Sequence, residues 1–186
     1  MILEGIVTTL NAQGEPNIAP MGPHVDGPDF ERFVLRPYPT SQTYRNLKEH
    51  GEGVLHVTDD VLLLAQAAVG RIAPLPALRT AEKVRGVVLA DACRFHEFRV
   101  VALDESEARV RIEAVVVHTG KVRDFFGFNR AKHAVVEAAI LATRTAFLPK
   151  EEIEAEYRRL EVIVNKTGGE REQEAFAFLR RHVAGE

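Results

Sequence analysis

Through the first 125 residues the apolar positions follow a period close to two, and after Gly127 the period becomes 3.6. Ile2 to Leu10 is rich in β-branched residues and stops at Asn11-Ala12-Gln13-Gly14-Glu15-Pro16, a cluster of turn formers, which predicts a strand and a hairpin turn. The return strand, Asn17 to Pro23, carries Pro20 and Pro23, which cannot donate to a ladder, so it is expected to be short, bulged or at an edge. A third strand, Arg32 to Arg36, is stopped by Pro37-Tyr38-Pro39. Thr40 or Ser41 then reads as the N-cap of a helix to about Glu49, closed by Gly51 to Gly53. Val54 to Thr58 alternates as a fourth strand, and Asp59-Asp60 caps the apolar run that follows. Residues 70–92 give little pattern, and Pro74 and Pro76 predict an irregular connection there. Two longer strands follow, Cys93 to Leu103 and Ala108 to Thr119, joined by Asp104-Glu105-Ser106-Glu107.

Asn129 caps a helix through about Arg144, and Pro149 opens a second with Ile153, Tyr157, Leu160 and Val164 on one stripe. Gly168-Gly169 separates a third, which carries Phe176, Leu179 and Val183. The expected fold is therefore mainly β with α: a mostly antiparallel barrel over residues 1–125, followed by a C-terminal three-helix segment over 126–186.

Composition narrows the function classes. Lys+Arg 24 against Asp+Glu 27 leaves a formal charge of -3, so no general field draws the chain to nucleic acid or to an anionic membrane. The single cysteine, Cys93, excludes an intrachain disulfide framework and suits a reducing cytoplasm. Val61 to Gly70 is too short for the roughly 20 apolar residues of a membrane span, and no basic, apolar leader opens the chain. The expectation is a cytoplasmic protein with neither membrane nor nucleic-acid partner.

The segment from Arg36 to Asn46 gathers a cation, hydroxyls and a helix start, a combination suited to phosphate. Ser41 and Thr43 can donate from their hydroxyls and Arg36 can bind an anion bidentately. The plainer alternative leaves Thr40 and Ser41 as simple caps and Arg36 paired with a carboxylate. His133 and Glu137 stand four apart on a helix, but with no third ligand in sight a surface ion pair is the better expectation than a metal site. Arg130 and Lys132, in the first turn of that helix, are either phosphate ligands or solvated charges. His24 reads as a loop histidine more readily than as a proton donor. No dinucleotide fingerprint, P-loop or H-E-x-x-H motif occurs.

The order Thr8-Thr9, Gly14-Glu15-Pro16-Asn17-Ile18-Ala19-Pro20-Met21-Gly22, Ser41-Gln42-Thr43-Tyr44-Arg45-Asn46-Leu47 and the strand at Val54 to Val57 resembles the FMN-binding split-barrel superfamily of flavin reductase-like proteins. More narrowly it resembles the DUF447 family, whose C-terminal part is similar to Phe128 to Glu137 and Ala142-Thr143-Arg144. The resemblance implies a homodimer with flavin mononucleotide (FMN) at or near the interface. Arg36, Ser41 and Thr43 would hold its phosphate, Asn17, Ala19, Pro20, Met21 and Gly22 would lie near its ring, and Asn46 and Arg130 are further cofactor-binding candidates. His56 departs from the asparagine common in flavin reductases, and no nicotinamide signature is present, which leaves electron donor, substrate and catalytic residues unassigned. The expected activity is a flavin-dependent oxidoreduction. The alternative is a non-catalytic protein that binds or senses FMN, or haem with His56 or His24 as axial ligand.

Overall fold

The computed structural model describes residues 1–27 and 30–186. The chain forms two compact units, Met1–Thr58 with Pro76–Phe125, and Asp59–Leu75 with Phe126–Glu186.

The first unit is built on strands β1 (Gly5–Leu10), β2 (Pro16–Met21), β3 (Arg32–Leu35), β4 (Glu52–Val57), a short hairpin of β5 (Leu78–Thr80) and β6 (Val87–Leu89), and the long pair β7 (Arg94–Asp104) and β8 (Arg111–Lys121). Six of them form one antiparallel sheet in the order β2-β1-β4-β7-β8-β3. Single bridges from Ile2 to His24 and from His24 to Val34 tie β3 back towards the segment before β1, which curls the sheet into a split barrel. Register shifts at Glu97/Phe98 and Val100/Ala102 let the two long strands bend with it. β2 lies at one end of the strand order, where Pro16 and Pro20 cost the ladder nothing on the open side.

Helix α1 (Gln42–His50) covers the inner face, where Tyr44 and Leu47 join Val7, Leu55, Phe98 and Ile112 in one core. Ser41 Oγ accepts from the Tyr44 N–H at 3.2 Å, and Gly51, at φ 66°, closes the helix by donating to Leu47 O. The turn after β7 holds the other half of the helix. Tyr44 donates to the Glu105 carboxylate, and Lys48 Nζ reaches the same group at 2.9 and 3.1 Å.

The β5–β6 hairpin falls in the stretch where an irregular connection was expected. Three side chains of the barrel hold its backbone: Thr8 donates to Val87 O, His56 accepts from Leu89 N, and Glu97 accepts from three successive N–H groups of residues 82–84.

The second unit consists of α2 (Val61–Ala68), α3 (Arg130–Ala142), α4 (Lys150–Thr167) and α5 (Glu170–Ala184). Residues 126–186 supply three of these helices, and α2, from the segment 59–75, joins them in this unit. The residues of α2 are apolar nearly all round, and Leu62, Leu64 and Ala65 are buried in one cluster with Ala131, Ala134, Ala138, Phe176 and Leu179. Asn129 caps α3 through Lys132 N, at 3.1 Å. Among the described residues no helix is long and apolar enough to cross a membrane.

Candidate functional site

Two features of the barrel unit meet at the start of α1. The first is the helix mouth, where Ser41 answers the Tyr44 N–H and the backbone N–H groups of Gln42 and Thr43 have no acceptor among the described residues. Together with the helix dipole they form an anion-seeking surface. The second is the outer edge of β2, whose residues Asn17, Ala19, Pro20 and Met21 are half-buried. Gly22, which follows, can offer only backbone, because a Cβ there would stand 2.8 Å from Ile2 Cγ2.

A buried polar network locks the two together. Asn17 Nδ2 donates to Thr43 Oγ1 at 3.0 Å, Asn46 Nδ2 donates to Thr9 Oγ1 at 2.9 Å, and Gln42 Nε2 donates to Asn46 Oδ1 at 2.6 Å. Thr9 and Asn17 are register partners on β1 and β2, so the helix is docked on both strands at once.

These contacts redistribute the expected roles. Ser41 is the cap and is half-exposed, in reach of a ligand. Thr43 and Asn46 are only 1% and 2% exposed, and their side chains hold the helix in place. Arg36 pairs with Glu107 beyond the end of β7, the plainer of its two expected fates, and so is not idle. Arg130 is exposed at the start of α3, in the helical unit. Its neighbour Lys132 is committed: Nζ meets Glu172 Oε1 at 2.8 Å and Asp59 O at 2.7 Å. Burial pushes the Glu172 carboxyl up, but hydrogen bonds from Lys132 and Gly169 N outweigh it and hold the group below its usual range. His133 stacks on Phe128 at 6.1 Å, and among the described residues it forms no ion pair with Glu137. His24 is exposed and joins the barrel through its backbone.

His56 cannot serve as an axial haem ligand. It is fully buried, with Nδ1 3.1 Å from Ile6 O and Nε2 accepting from Leu89 N at 3.0 Å. Donation to a carbonyl from Nδ1 and acceptance at Nε2 define one neutral tautomer with both nitrogens used, so no lone pair is left for iron. Burial accordingly pushes its pKa down to about 4.

The N-terminal domain of the DUF447 family, described as a protein of unknown function, matches residues 3–123, and the family's C-terminal domain matches 129–181. The chain belongs to the DUF447 family. An FMN-bound protein of this family from Methanosarcina mazei has a similar structure, with a TM-score of 0.84 at 24% identity over 97% of this chain and 94% of that one. Two further similarities cover less of the chain. The 2-nitrobenzoate 2-nitroreductase of Pseudomonas fluorescens matches with a TM-score of 0.55 at 19% identity, over 63% of this chain and 64% of that one. The styrene monooxygenase flavin reductase of Pseudomonas putida matches with a TM-score of 0.52 at 12% identity, over 63% and 77%. The split-barrel architecture of this DUF447 chain is thus shared with flavin enzymes. Thr9 and Glu97 are structural members of the DUF447 barrel to which no role was assigned from sequence. The only available signal for Thr9 was its place in the Thr8-Thr9 pair opposite Asn17.

Proposed function

We propose that the chain binds FMN where β2 meets α1 and acts as a flavin-dependent oxidoreductase on a small molecule. The observation that carries this reading is the 3.0 Å bond from Asn17 to Thr43, which brings a helix mouth with two free N–H groups to an unpaired strand edge. A phosphate suits the first and the polar rim of a flavin suits the second. In this arrangement the N–H groups of Gln42 and Thr43 and the Ser41 hydroxyl hold the phosphate. Arg36 joins by leaving Glu107, an exchange with little cost because exposed ion pairs are worth about 0–1 kcal/mol. Asn17, Ala19, Pro20, Met21 and Gly22 border the ring, and Met21 offers it a polarizable surface. Arg130 remains a second candidate for the phosphate.

The flavin supplies the redox reactivity, and the chain positions it and limits water at its ring. The FMN-bound relative and the flavin reductase among similar structures support the cofactor and the class of reaction. We further propose a homodimer in the cytoplasm. Val101 and Val117, exposed on the two long strands, are apolar residues that a second copy can cover.

Flavin fluorescence titration tests the site. FMN is expected to bind at least tenfold more tightly than riboflavin, which lacks the phosphate. Gln42→Pro removes one backbone N–H at a helix position that tolerates proline, and Ser41 already has the extended backbone a following proline needs (φ -75°, ψ 148°). It should weaken FMN by about tenfold or more relative to Gln42→Ala, the loss of one charge-assisted hydrogen bond. Equal affinities for the two variants would remove the phosphate from the helix mouth. Bleaching of bound FMN by a reduced nicotinamide would mark the enzyme, and an inert yellow protein the binder.

A further inference from the structure

The β5–β6 hairpin forms a sheet of its own, with no ladder to the six-stranded sheet. Val84 and Val88 pack on Val54 of β4 and Phe95 of β7, so the hairpin covers an apolar stretch of the barrel. Among the described residues, the hydrogen bonds that its backbone N–H groups make to the barrel all end on ionisable side chains. Those of Glu82, Lys83 and Val84 go to the Glu97 carboxylate, that of Arg85 to Glu52 Oε2 at 2.7 Å, and that of Leu89 to His56 Nε2.

At each acceptor, the atom that a proton must take is already in use. Glu97 Oε1 accepts from Glu82 N, and Oε2 accepts from both Lys83 N and Val84 N. Glu52 Oε2 serves Arg85 N while Oε1 accepts from Arg99 Nε at 2.9 Å. His56 gives its Nδ1 proton to Ile6 O, so Nε2 is the one place left for a second proton. A proton at any of the three sets donor against donor, and Glu97 and His56 are fully buried, where an unanswered donor is costly. Acid leaves in place only the bonds of opposite sense, from Thr8 to Val87 O and from Arg99 to Lys83 O.

We propose that the hairpin is a cover released by acid: protons compete with its backbone N–H groups for the same acceptor atoms, and release bares the apolar stretch at Val54 and Phe95. Burial, with smaller contributions from His96 and Arg79, pushes the His56 pKa down to about 4, whereas the hydrated ring of the released form titrates near 6.5. Docking is therefore complete above pH 6.5 and weakens as pH falls towards 4. His56 alone makes release about tenfold easier at pH 5.5 than at pH 7.5. Burial pushes the Glu52 carboxyl up, but the bonds from Arg85 N and Arg99 outweigh it and hold it below its usual range, which adds a second loss at lower pH. The other charged groups facing the hairpin are Arg79, over the Phe95 ring at 4.9 Å, and His118 of β8, 3.7 Å from Glu82. Arg79, Arg85 and Arg99 keep their charge throughout this window. A protonated His118 draws Glu82 in and opposes release, but a pair open to solvent adds little.

Amide exchange of the full chain, resolved by residue with NMR and expressed as protection factors at pH 7.5, 6.5 and 5.5, tests the cover. At each pH the amides of residues 82–85 and 89 should be less protected than those of β1 and β7, with a shallower dependence on urea, the mark of a local opening. Their protection should fall about tenfold from pH 7.5 to 5.5 in the wild type, and His56→Gln should abolish the fall. Should that variant fold poorly, Glu52→Ala, at a half-exposed position, should lower the same protection at least tenfold at pH 7.5. Hairpin amides as protected and as steep in urea as those of β1 and β7 overturn the proposal, since the hairpin then opens only with the whole barrel. A level profile between pH 7.5 and 5.5, or no change in Glu52→Ala, overturns it as well. None of these residues belongs to the proposed flavin site, so that reading stands or falls separately.

Discussion

The two units bury different chemistry. In the barrel the buried polar residues are Thr8, Thr9, Thr43, Asn46, His56, His96 and Glu97, whereas the helical unit buries Asp59 and Glu172 among the described residues. Its helices satisfy their own backbones and approach closely through Ala131, Ala134, Ala138, Ala139 and Ala175. A curled sheet carrying a docked helix and a loop has backbone groups that no ladder answers, and buried side chains must answer them. The same need creates the candidate site, because the groups that dock α1 also leave its first N–H groups unanswered.

The sharpest test of this contrast is pH. Both His56 and His96 have folded pKa values near 4 against an ordinary 6.5, mainly through burial. Above pH 6.5 neither state binds these protons, and the full stability is present. As pH falls from 6.5 towards 4, the unfolded chain takes up protons that the folded rings refuse, so stability is lost and the loss levels off below about 4. At about 1.4 kcal/mol per pKa unit, the two rings together are worth on the order of 7 kcal/mol. Urea midpoints measured at pH 7, 5.5 and 4.5 should fall steadily, with a shallower fall in His56→Gln. A flat profile over that window would mean that the rings are hydrated or charged in the native barrel.

Next in size is Glu97→Ala. The carboxylate of Glu97 accepts from the N–H groups of Glu82, Lys83 and Val84 at 2.8, 2.6 and 3.2 Å. Removing it leaves three donors without a partner, which should cost about 3–5 kcal/mol. A loss under about 1 kcal/mol would show that water replaces the carboxylate easily and that burial of this group is incidental.

How much of this was legible follows from the range of the signals. β1, the hairpin turn at Asn11, the Ser41 cap, the Asn129 cap and the helix break at Gly168-Gly169 are written within a few residues each, and the structure has them all. The allegiance of α2 was not legible, since an apolar run says that it is buried but not against what. The β5–β6 hairpin was hidden because its strands have three residues each and its backbone is held by Thr8, His56 and Glu97, distant in sequence. At the site, the cap and the polar loop could be read locally. The bond from Asn17 to Thr43 spans 26 positions and the pair of Arg36 with Glu107 spans 71, so composition and spacing could give neither.

The smallest effect is expected in the helical unit, where space rather than polarity is limiting. Ala138 on α3 is fully buried, and its carbonyl accepts from the Tyr157 hydroxyl on α4 at 2.7 Å. Burial of that phenol pushes its pKa up, so it stays protonated and keeps donating at any ordinary pH. Ala138→Leu adds bulk where the two helices meet and forces that contact apart, at about 1–3 kcal/mol. Urea denaturation followed by tyrosine fluorescence should report this loss. FMN titration of the same variant sharpens the contrast, because Arg130 lies on the same helix. Unchanged affinity confines the flavin site to the barrel unit, and a matching fall in affinity would bring Arg130 into it.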